Sequence, residues 1–131
     1  MITTVDVETS YQKTETGGYD PSPFHPDNIL VSVGINDEYY FTNHSERIDE
    51  GCYHKIQAIL DKTTLLVGHN IKFDLMWLLE SGFKYSGRVY DTMLGEYILN
   101  RGVRKSLTLE MSCRRRKIGS KDSSIKEFMD R

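Results

Sequence analysis

Two carboxylate side chains, Asp6 and Glu8, lie two residues apart in a short β-branched segment near the start of the chain. Residues i and i+2 of a strand face the same side of a sheet, so the two carboxylates converge while Val7 turns toward the core. Adjacent carboxylates repel each other unless a cation lies between them, and oxygen ligands suit Mg²⁺ or Mn²⁺. The pair therefore predicts a divalent-metal site. A strand that ends in the acidic start of a loop is the competing interpretation.

A second polar group ends at Asp74, in the run Gly68-His69-Asn70-Ile71-Lys72-Phe73-Asp74. Asn70 and Asp74 are four residues apart and share one face of a helix that begins just after a strand. Ligands bind at the ends of the strands in open α/β sheets, so both side chains are candidates for the same site. The alternative is that Asn70 caps the helix and Asp74 is a solvated helix acid.

A third group follows between Tyr90 and Asn100, where the sequence is Tyr-Asp-Thr-Met-Leu-Gly-Glu-Tyr-Ile-Leu-Asn. Asp91 or Thr92 stands at the predicted start of a helix, and the N-cap role is favoured there over a metal role. Four apolar residues recur in this helix at helical spacing: Met93, Leu94, Tyr97 and Ile98. That spacing predicts a face buried in the core.

Charge is distributed unevenly along the chain. Residues 1–100 hold 15 acids and 7 bases, whereas residues 101–121 hold 8 bases against Glu110 alone. The bases include three consecutive arginines, Arg114, Arg115 and Arg116, which are candidate phosphate contacts. An acidic body joined to a basic segment suits a metal site beside the path of a polyanion, and a solvated charged surface is the alternative.

The composition is that of an ordinary globular protein of one domain. Of the 131 residues, 38% are apolar and 27% charged, which is too apolar for a disordered chain. No apolar run approaches the ~20 residues that span a bilayer, and the first residues do not resemble a secretory signal. Cys52 and Cys113 lack the spacing of a zinc site or a disulfide framework. We therefore expect a cytoplasmic protein without a membrane partner.

The elements that must position these residues follow from the hydrophobic pattern and the turn signals. The pattern predicts strands over Ile2–Val7, Ile29–Ile35, Glu38–Thr42, Thr63–Val67 and Arg88–Tyr90, with a long loop over Thr9–Asp27. Helices are predicted over Ile48–Asp61, Ile71–Leu79, Asp91 to about Leu99, Ser106–Cys113 and Ser124–Met129. The order predicts an α/β fold in which three antiparallel strands and then parallel strands form a mixed sheet, with helices on its faces.

In their order and spacing, the three groups resemble the proofreading 3′→5′ exonuclease domain of family A DNA polymerases, over about residues 2–110. Ribonuclease H and integrases use similar carboxylates, but the Gly-His-Asn-x-x-Phe-Asp and Asp-Thr-Met-Leu blocks favour the exonuclease. The resemblance implies a ribonuclease H-like fold and hydrolysis of the 3′-terminal phosphodiester of DNA with two metal ions, Mg²⁺ or Mn²⁺. It implies that Asp6 bridges both metals, that Glu8 helps to hold the metal that activates water, and that Asp74 holds the second.

The same resemblance assigns substrate contacts and partners. Thr9, Asn70 and Phe73 match positions that line the groove for the terminal nucleotides. The expected partners are the 3′ end of single-stranded DNA, which Arg114 to Arg116 are predicted to contact through its phosphates, and the rest of a DNA polymerase.

The sequence departs from the family pattern in its last segment. The family has a third motif, a Tyr or His shortly before a final Asp, but no Tyr or His follows Leu107, and Asp122 and Asp130 lack that partner. We therefore expect residues 1–131 to form a single exonuclease-like domain that is incomplete at its C-terminal end. Met1 lies one residue before the first strand, which suggests a natural start and resembles the arrangement in phage-type enzymes.

Three hypotheses follow for function. The first is an exonuclease that is weak or inactive without a helix carrying the third motif. The second is a catalytically crippled module of the same fold that binds DNA or a polymerase partner. The third is a folded fragment without independent function.

Overall fold

A computed structural model of the protein describes residues 1–42, 50–101, 103 and 105–118. Two compact units divide the chain, Met1–Thr92 and Met93–Arg131. The elements are β1 (Ile2–Thr9), β2 (Gln12–Lys13), β3 (Tyr19–Asp20), β4 (Leu30–Ile35), β5 (Glu38–Phe41), α1 (Glu50–Lys62), β6 (Leu65–Gly68), α2 (Ile71–Glu80), β7 (Arg88–Asp91), α3 (Thr92–Leu99) and α4 (Leu109–Arg116).

The first unit contains a five-stranded sheet in the order β5-β4-β1-β6-β7. The pairs β1–β4 and β4–β5 are antiparallel, whereas β1–β6 and β6–β7 are parallel. Parallel neighbours need a crossover, and helices α1 and α2 stand in the sequence where the crossovers occur. The predicted mixed α/β sheet is therefore confirmed.

Alternating residues of β1 build the centre of the core. Val5 and Val7 are buried, while Asp6 and Glu8 between and after them are exposed, as the period of two requires. The buried side chains of α1 recur every fourth residue at Cys52, Ile56 and Leu60, which places them on one helical face. The core also contains Val33, Ile35, Leu66, Ile71, Trp77 and Leu78.

Helix α2 begins at the predicted residue, Ile71, and ends one residue after the predicted Leu79. Gly68 closes β6, and a Cβ atom there would lie 3.2 Å from the Val5 carbonyl oxygen and 3.1 Å from the Ile71 side chain. Glycine eases this close approach between the strand end, β1 and the start of the helix, because a larger residue would require its neighbours to shift by a few tenths of an ångström. At the other end the Ser81 amide donates to the Trp77 carbonyl, and Gly82 has a φ of 97° that favours glycine.

The segment predicted as one long loop, Thr9–Asp27, contains the short antiparallel pair β2–β3. Long-range hydrogen bonds hold this hairpin in place, and local sequence signals do not report such bonds. The Trp77 indole donates to the Pro21 carbonyl at 3.0 Å, and the Asn28 side chain donates to the carbonyls of Asp20 and Ser22.

Helix α4 lies further along the chain than the predicted Ser106–Cys113. Thr108 is its N-cap, because the Thr108 side chain accepts a hydrogen bond from the Met111 amide, and the helix continues to Arg116. A capping threonine followed two residues later by an acid is a signal for the start of a helix, and the prediction placed that start too early. The predicted helix Ser124–Met129 and the predicted helix start at Ile48 lie outside the described residues.

The apolar stripe of α3 is exposed, which contradicts the prediction of a core face. Leu94, Tyr97 and Ile98 are 56%, 54% and 71% exposed, and the buried side chain of this helix is Glu96. An apolar helical pattern shows that a face is hydrophobic, but it does not show that another element covers that face.

No helix in the described part of the chain combines the length and the apolar character that crossing a membrane requires.

Candidate active site

The carboxylates of the Asp-x-Glu pair lie on the exposed face of β1. In the antiparallel pairing with β4, Asp6 stands opposite Gly34 and Glu8 opposite Ser32, and the register shifts between Glu8 and Thr9. Such a shift redirects the side chains near a strand end, and irregularities of this kind are frequent beside active sites. The structure therefore keeps both carboxylates on one side of the sheet, as the sequence predicts.

Asp74 reaches the same part of the molecule from α2. It lies in the first turn of the helix, and only 4% of the residue is exposed. Burial, followed by the charges of Asp6, Glu8 and Asp91, raises the pKa of Asp74 to about 7, against the lowering effect of a hydrogen bond from the Val7 amide. Each charged neighbour that shifts this pKa is a carboxylate, so Asp74 is a buried acid surrounded by negative charge.

Asp6, Glu8 and Asp74 supply the negative charge and the oxygen atoms that a divalent cation needs, but the three carboxylates are not close enough together to bind one. Within the described residues, no three His, Cys, Asp or Glu side chains are placed so that they could hold one metal ion together. Electrostatic repulsion acts over several ångströms, whereas oxygen ligands must lie about 2.0–2.6 Å from Mg²⁺ or Ca²⁺. The oxygen donors fit Mg²⁺ or Mn²⁺ chemically, and the carboxylates would have to draw together to ligate an ion.

Asn70, the predicted groove residue on the same helix, has an unusual conformation. It is the N-cap residue of α2 with φ 58° and ψ 52°, and its side chain makes no capping hydrogen bond. The interpretation of its side chain as a helix cap is therefore wrong, and the side chain is exposed.

Phe73 and Thr9, the other two predicted groove residues, are half-buried. Phe73 packs against the core cluster, and Thr9 is the last residue of β1, directly after Glu8. Both lie in the first unit, as do Asn70 and the three carboxylates.

The ends of β6 and β7 carry a group of contacts that the sequence does not predict. Asp91 Oδ1 accepts a hydrogen bond from the Asn70 amide at 2.9 Å. The Thr92 hydroxyl lies 2.9 Å from His69 Nδ1 and donates to the Gly68 carbonyl at 3.3 Å. The signal that could have found these contacts is the parallel register, which pairs Gly68 with Asp91.

The three arginines of the basic run have carboxylate partners in the second unit. Arg114 pairs with Glu110 at 2.9 Å, and both side chains are largely exposed. Arg115 and Arg116 pair with the two oxygens of Glu96 at 3.0 and 3.3 Å. Sequence reasoning missed Glu96, although a single acid within the apolar run of α3 is a signal of a buried pair.

Glu96 is buried, with 6% of the residue exposed. The hydrogen bond from Arg115 and the charges of both arginines lower the pKa of Glu96, which outweighs the opposing effect of burial. Arg115 also donates to the Ser106 carbonyl and to the Ser112 hydroxyl, so its guanidinium is held at several points.

The chain belongs to the 3′-5′ exonuclease domain family of DNA polymerase A, whose family model matches residues 11–111. The match includes Asn70 and Asp74, begins after Asp6 and Glu8, and ends within α4 before the arginine run. The mixed sheet with helices agrees with the ribonuclease H-like fold of such exonucleases. No curated protein matches the chain.

Proposed function

We propose that this 3′-5′ exonuclease module hydrolyses the 3′-terminal phosphodiester of single-stranded DNA, with Asp6, Glu8 and Asp74 holding the divalent metal ions Mg²⁺ or Mn²⁺. One observation carries the proposal. Asp74 is buried beside other carboxylates, and its burial together with their repulsion raises its pKa to about 7. A folded protein keeps such a costly arrangement where a cation or a catalytic task requires it.

The chemistry divides between the metal ions and the side chains of the chain. Divalent metal ions, when bound, lower the pKa of water and stabilise negative charge on a leaving oxygen. Asp6 suits a ligand shared by two ions, because it shares the exposed face of β1 with Glu8 and its charge raises the pKa of Asp74 more than that of Glu8 does. Asn70 offers an exposed amide at the start of the same helix, where it is available to bind the sugar or phosphate of the last nucleotide.

Hydrolysis of a 5′-labelled single-stranded oligonucleotide in Mn²⁺ tests the proposal. The wild-type protein is expected to shorten the oligonucleotide from its 3′ end, and Asp6→Ala is expected to reduce this to the level without metal. Asp37→Asn is a matched control. Asp37 lies in the turn between β4 and β5, so the substitution removes one acid elsewhere on the sheet. Equal hydrolysis by wild type and Asp6→Ala would contradict the assignment.

We expect residues 1–131 alone to react slowly. The site then has three carboxylates, and no Tyr or His after Leu107 orients the attacking water. Misplacement of a reacting group by ~1 Å can cost ~10²-fold in rate. A version extended by a helix that carries Tyr-x-x-x-Asp is expected to cleave faster, with the same polarity and metal dependence. Equal rates for the two versions would show that a residue such as Asp91 completes the site.

A second candidate function is a module that binds a polymerase partner or DNA without cutting it. The exposed apolar side chains of α3, Leu94, Tyr97 and Ile98, favour it, because large exposed apolar patches are typical of interaction sites. Oligonucleotide binding that persists while no version of the protein cleaves DNA in Mn²⁺ would select this function.

A further inference from the structure

The turn between β6 and α2 has a backbone that needs outside support. Asn70 has φ 58°, in the left-handed region that costs an L-residue about 1–2 kcal/mol, although Asn tolerates it better than most residues. The Asn70 side chain makes no capping hydrogen bond that would help to hold this conformation. Another group must therefore stabilise the turn.

Two residues at the end of β7 provide that support. The carboxylate of Asp91 accepts from the Asn70 amide at 2.9 Å, and the Thr92 hydroxyl donates to the Gly68 carbonyl at 3.3 Å. The Thr92 hydroxyl also lies 2.9 Å from His69 Nδ1, where the tautomer of the imidazole determines which of the two donates. The Asp91–Thr92 pair thus contacts each residue of the turn, Gly68, His69 and Asn70.

We propose that Asp91 and Thr92 are positioning residues, which hold the turn so that the Asn70 side chain meets the terminal nucleotide and the His69 ring keeps one orientation. The inference rests on the proposed function, because it takes Asn70 as a substrate contact. Asp91 acts here as a hydrogen-bond acceptor, and its negative charge is secondary. This role differs from an N-cap of α3 and from a fourth metal ligand.

Conservative and disruptive substitutions separate these roles. Asp91→Asn keeps an oxygen at the acceptor position but removes the charge, whereas Asp91→Ala removes both. Thr92→Ser keeps the hydroxyl, whereas Thr92→Val removes it at nearly constant shape. If the pair positions the turn, Asp91→Ala and Thr92→Val raise KM for a single-stranded oligonucleotide by about tenfold or more, and Asp91→Asn and Thr92→Ser stay within about threefold of wild type.

Two further measurements on the full chain do not depend on cleavage. Hydrogen exchange of the Asn70 amide, followed by NMR, should accelerate in Asp91→Ala and remain slow in Asp91→Asn. Mn²⁺ binding, measured by calorimetry, should weaken only slightly in Asp91→Asn, because Asp91 contributes its charge to the site but no ligand oxygen. Much weaker Mn²⁺ binding by Asp91→Asn, together with losses as large as those of Asp91→Ala, would overturn the inference in favour of a metal ligand.

The remaining outcomes distinguish the inference from the proposed function. Unchanged Asn70 exchange and unchanged KM in Asp91→Ala would overturn the positioning role while leaving the exonuclease intact. If the wild type neither binds nor cleaves the oligonucleotide, but Asn70 exchange still responds to Asp91→Ala, the proposed function is overturned and the hydrogen bond that supports the turn is confirmed.

Discussion

Two buried carboxylates, Asp74 in the first unit and Glu96 in the second, have opposite environments. Both side chains lie on helices and are 4% and 6% exposed. The neighbours of Asp74 are carboxylates, which together with burial raise its pKa to about 7. The neighbours of Glu96 are Arg115 and Arg116, which lower its pKa.

The difference separates the proposed metal site, where like charges meet, from an ion pair that is complete within the second unit. Burying an ionised carboxylate is costly unless a positive charge or hydrogen bonds compensate it. The chain supplies two guanidinium groups to Glu96 and one backbone amide to Asp74. The ionised form of Glu96 is therefore favoured in the folded chain, whereas the ionised form of Asp74 is disfavoured.

The largest expected effect is a loss of stability with rising pH in the metal-free protein. Since the folded-state pKa of Asp74 is about 7 and its ordinary value is 3.8, the stability present below pH 3.8 is lost as the pH rises through 7. Between pH 5 and pH 8 this corresponds to ~3 kcal/mol in the free energy of unfolding. Urea unfolding in EDTA at the two pH values measures it.

Asp74→Asn is the control for that prediction. The amide is neutral at both pH values and keeps an oxygen for the Val7 amide, so the variant should lose less stability between pH 5 and pH 8. It should also be more stable than wild type at pH 8 without metal. If the free energy of unfolding depends on pH equally in wild type and Asp74→Asn, the ionisation of Asp74 does not destabilise the folded protein.

Divalent cations should reverse the penalty at pH 8. Mn²⁺ at about a hundred times its Kd is expected to add ~2.7 kcal/mol to the free energy of unfolding, since the ion binds only the folded protein. Asp6→Ala should weaken Mn²⁺ binding most, because Asp6 is the proposed bridge and its loss affects both sites. Calorimetry measures this, with Asp37→Asn as the control. Equal Mn²⁺ binding by Asp6→Ala and wild type would contradict the shared site.

Glu96 should show the opposite pH dependence. Its folded-state pKa is lowered from 4.5, so its contribution to stability is present above pH 4.5 and is lost as the pH falls through the folded value. Glu96→Gln leaves Arg115 and Arg116 without their carboxylate, and we expect it to lower Tm at pH 7 by more than it does at pH 3. Glu110→Gln removes only an exposed pair and is the matched control. A Tm change no larger than that of Glu110→Gln would contradict the structural role.

The smallest effects concern Arg114. Its pair with Glu110 is exposed, so Arg114→Ala should change stability by no more than ~0.5 kcal/mol. The same exposure leaves its guanidinium able to contact a phosphate, and its removal should reduce the salt slope of single-strand binding by about 1. Arg115→Ala, which breaks the pair with Glu96, should lower stability more. Fluorescence anisotropy at several salt concentrations measures single-strand binding by the two variants, and thermal unfolding measures their stability. Equal stability and equal salt slopes for Arg114→Ala and Arg115→Ala would contradict the different roles of the two arginines.

Much of the fold was predictable because its signals are local. The alternation of Val5, Asp6 and Val7 predicts β1 and its exposed face, and Ser81-Gly82 predicts the end of α2. The β2–β3 hairpin was not predicted, because it depends on hydrogen bonds such as that from Trp77 to Pro21, 56 residues away. The exposure of the α3 stripe was not predicted either, because a pattern along one helix does not show what packs on it.

The sequence by itself determined the kinds of groups at the site, the side of β1 on which Asp6 and Glu8 stand, and the family of the chain. Only the tertiary structure decided how buried Asp74 is and which groups surround it. It also decided that Asp91 binds the Asn70 amide, 21 residues away, and that Arg115 pairs with Glu96, 19 residues away. Strand periodicity is a property of neighbouring residues, whereas burial and hydrogen-bond partners depend on which distant segments meet when the chain folds.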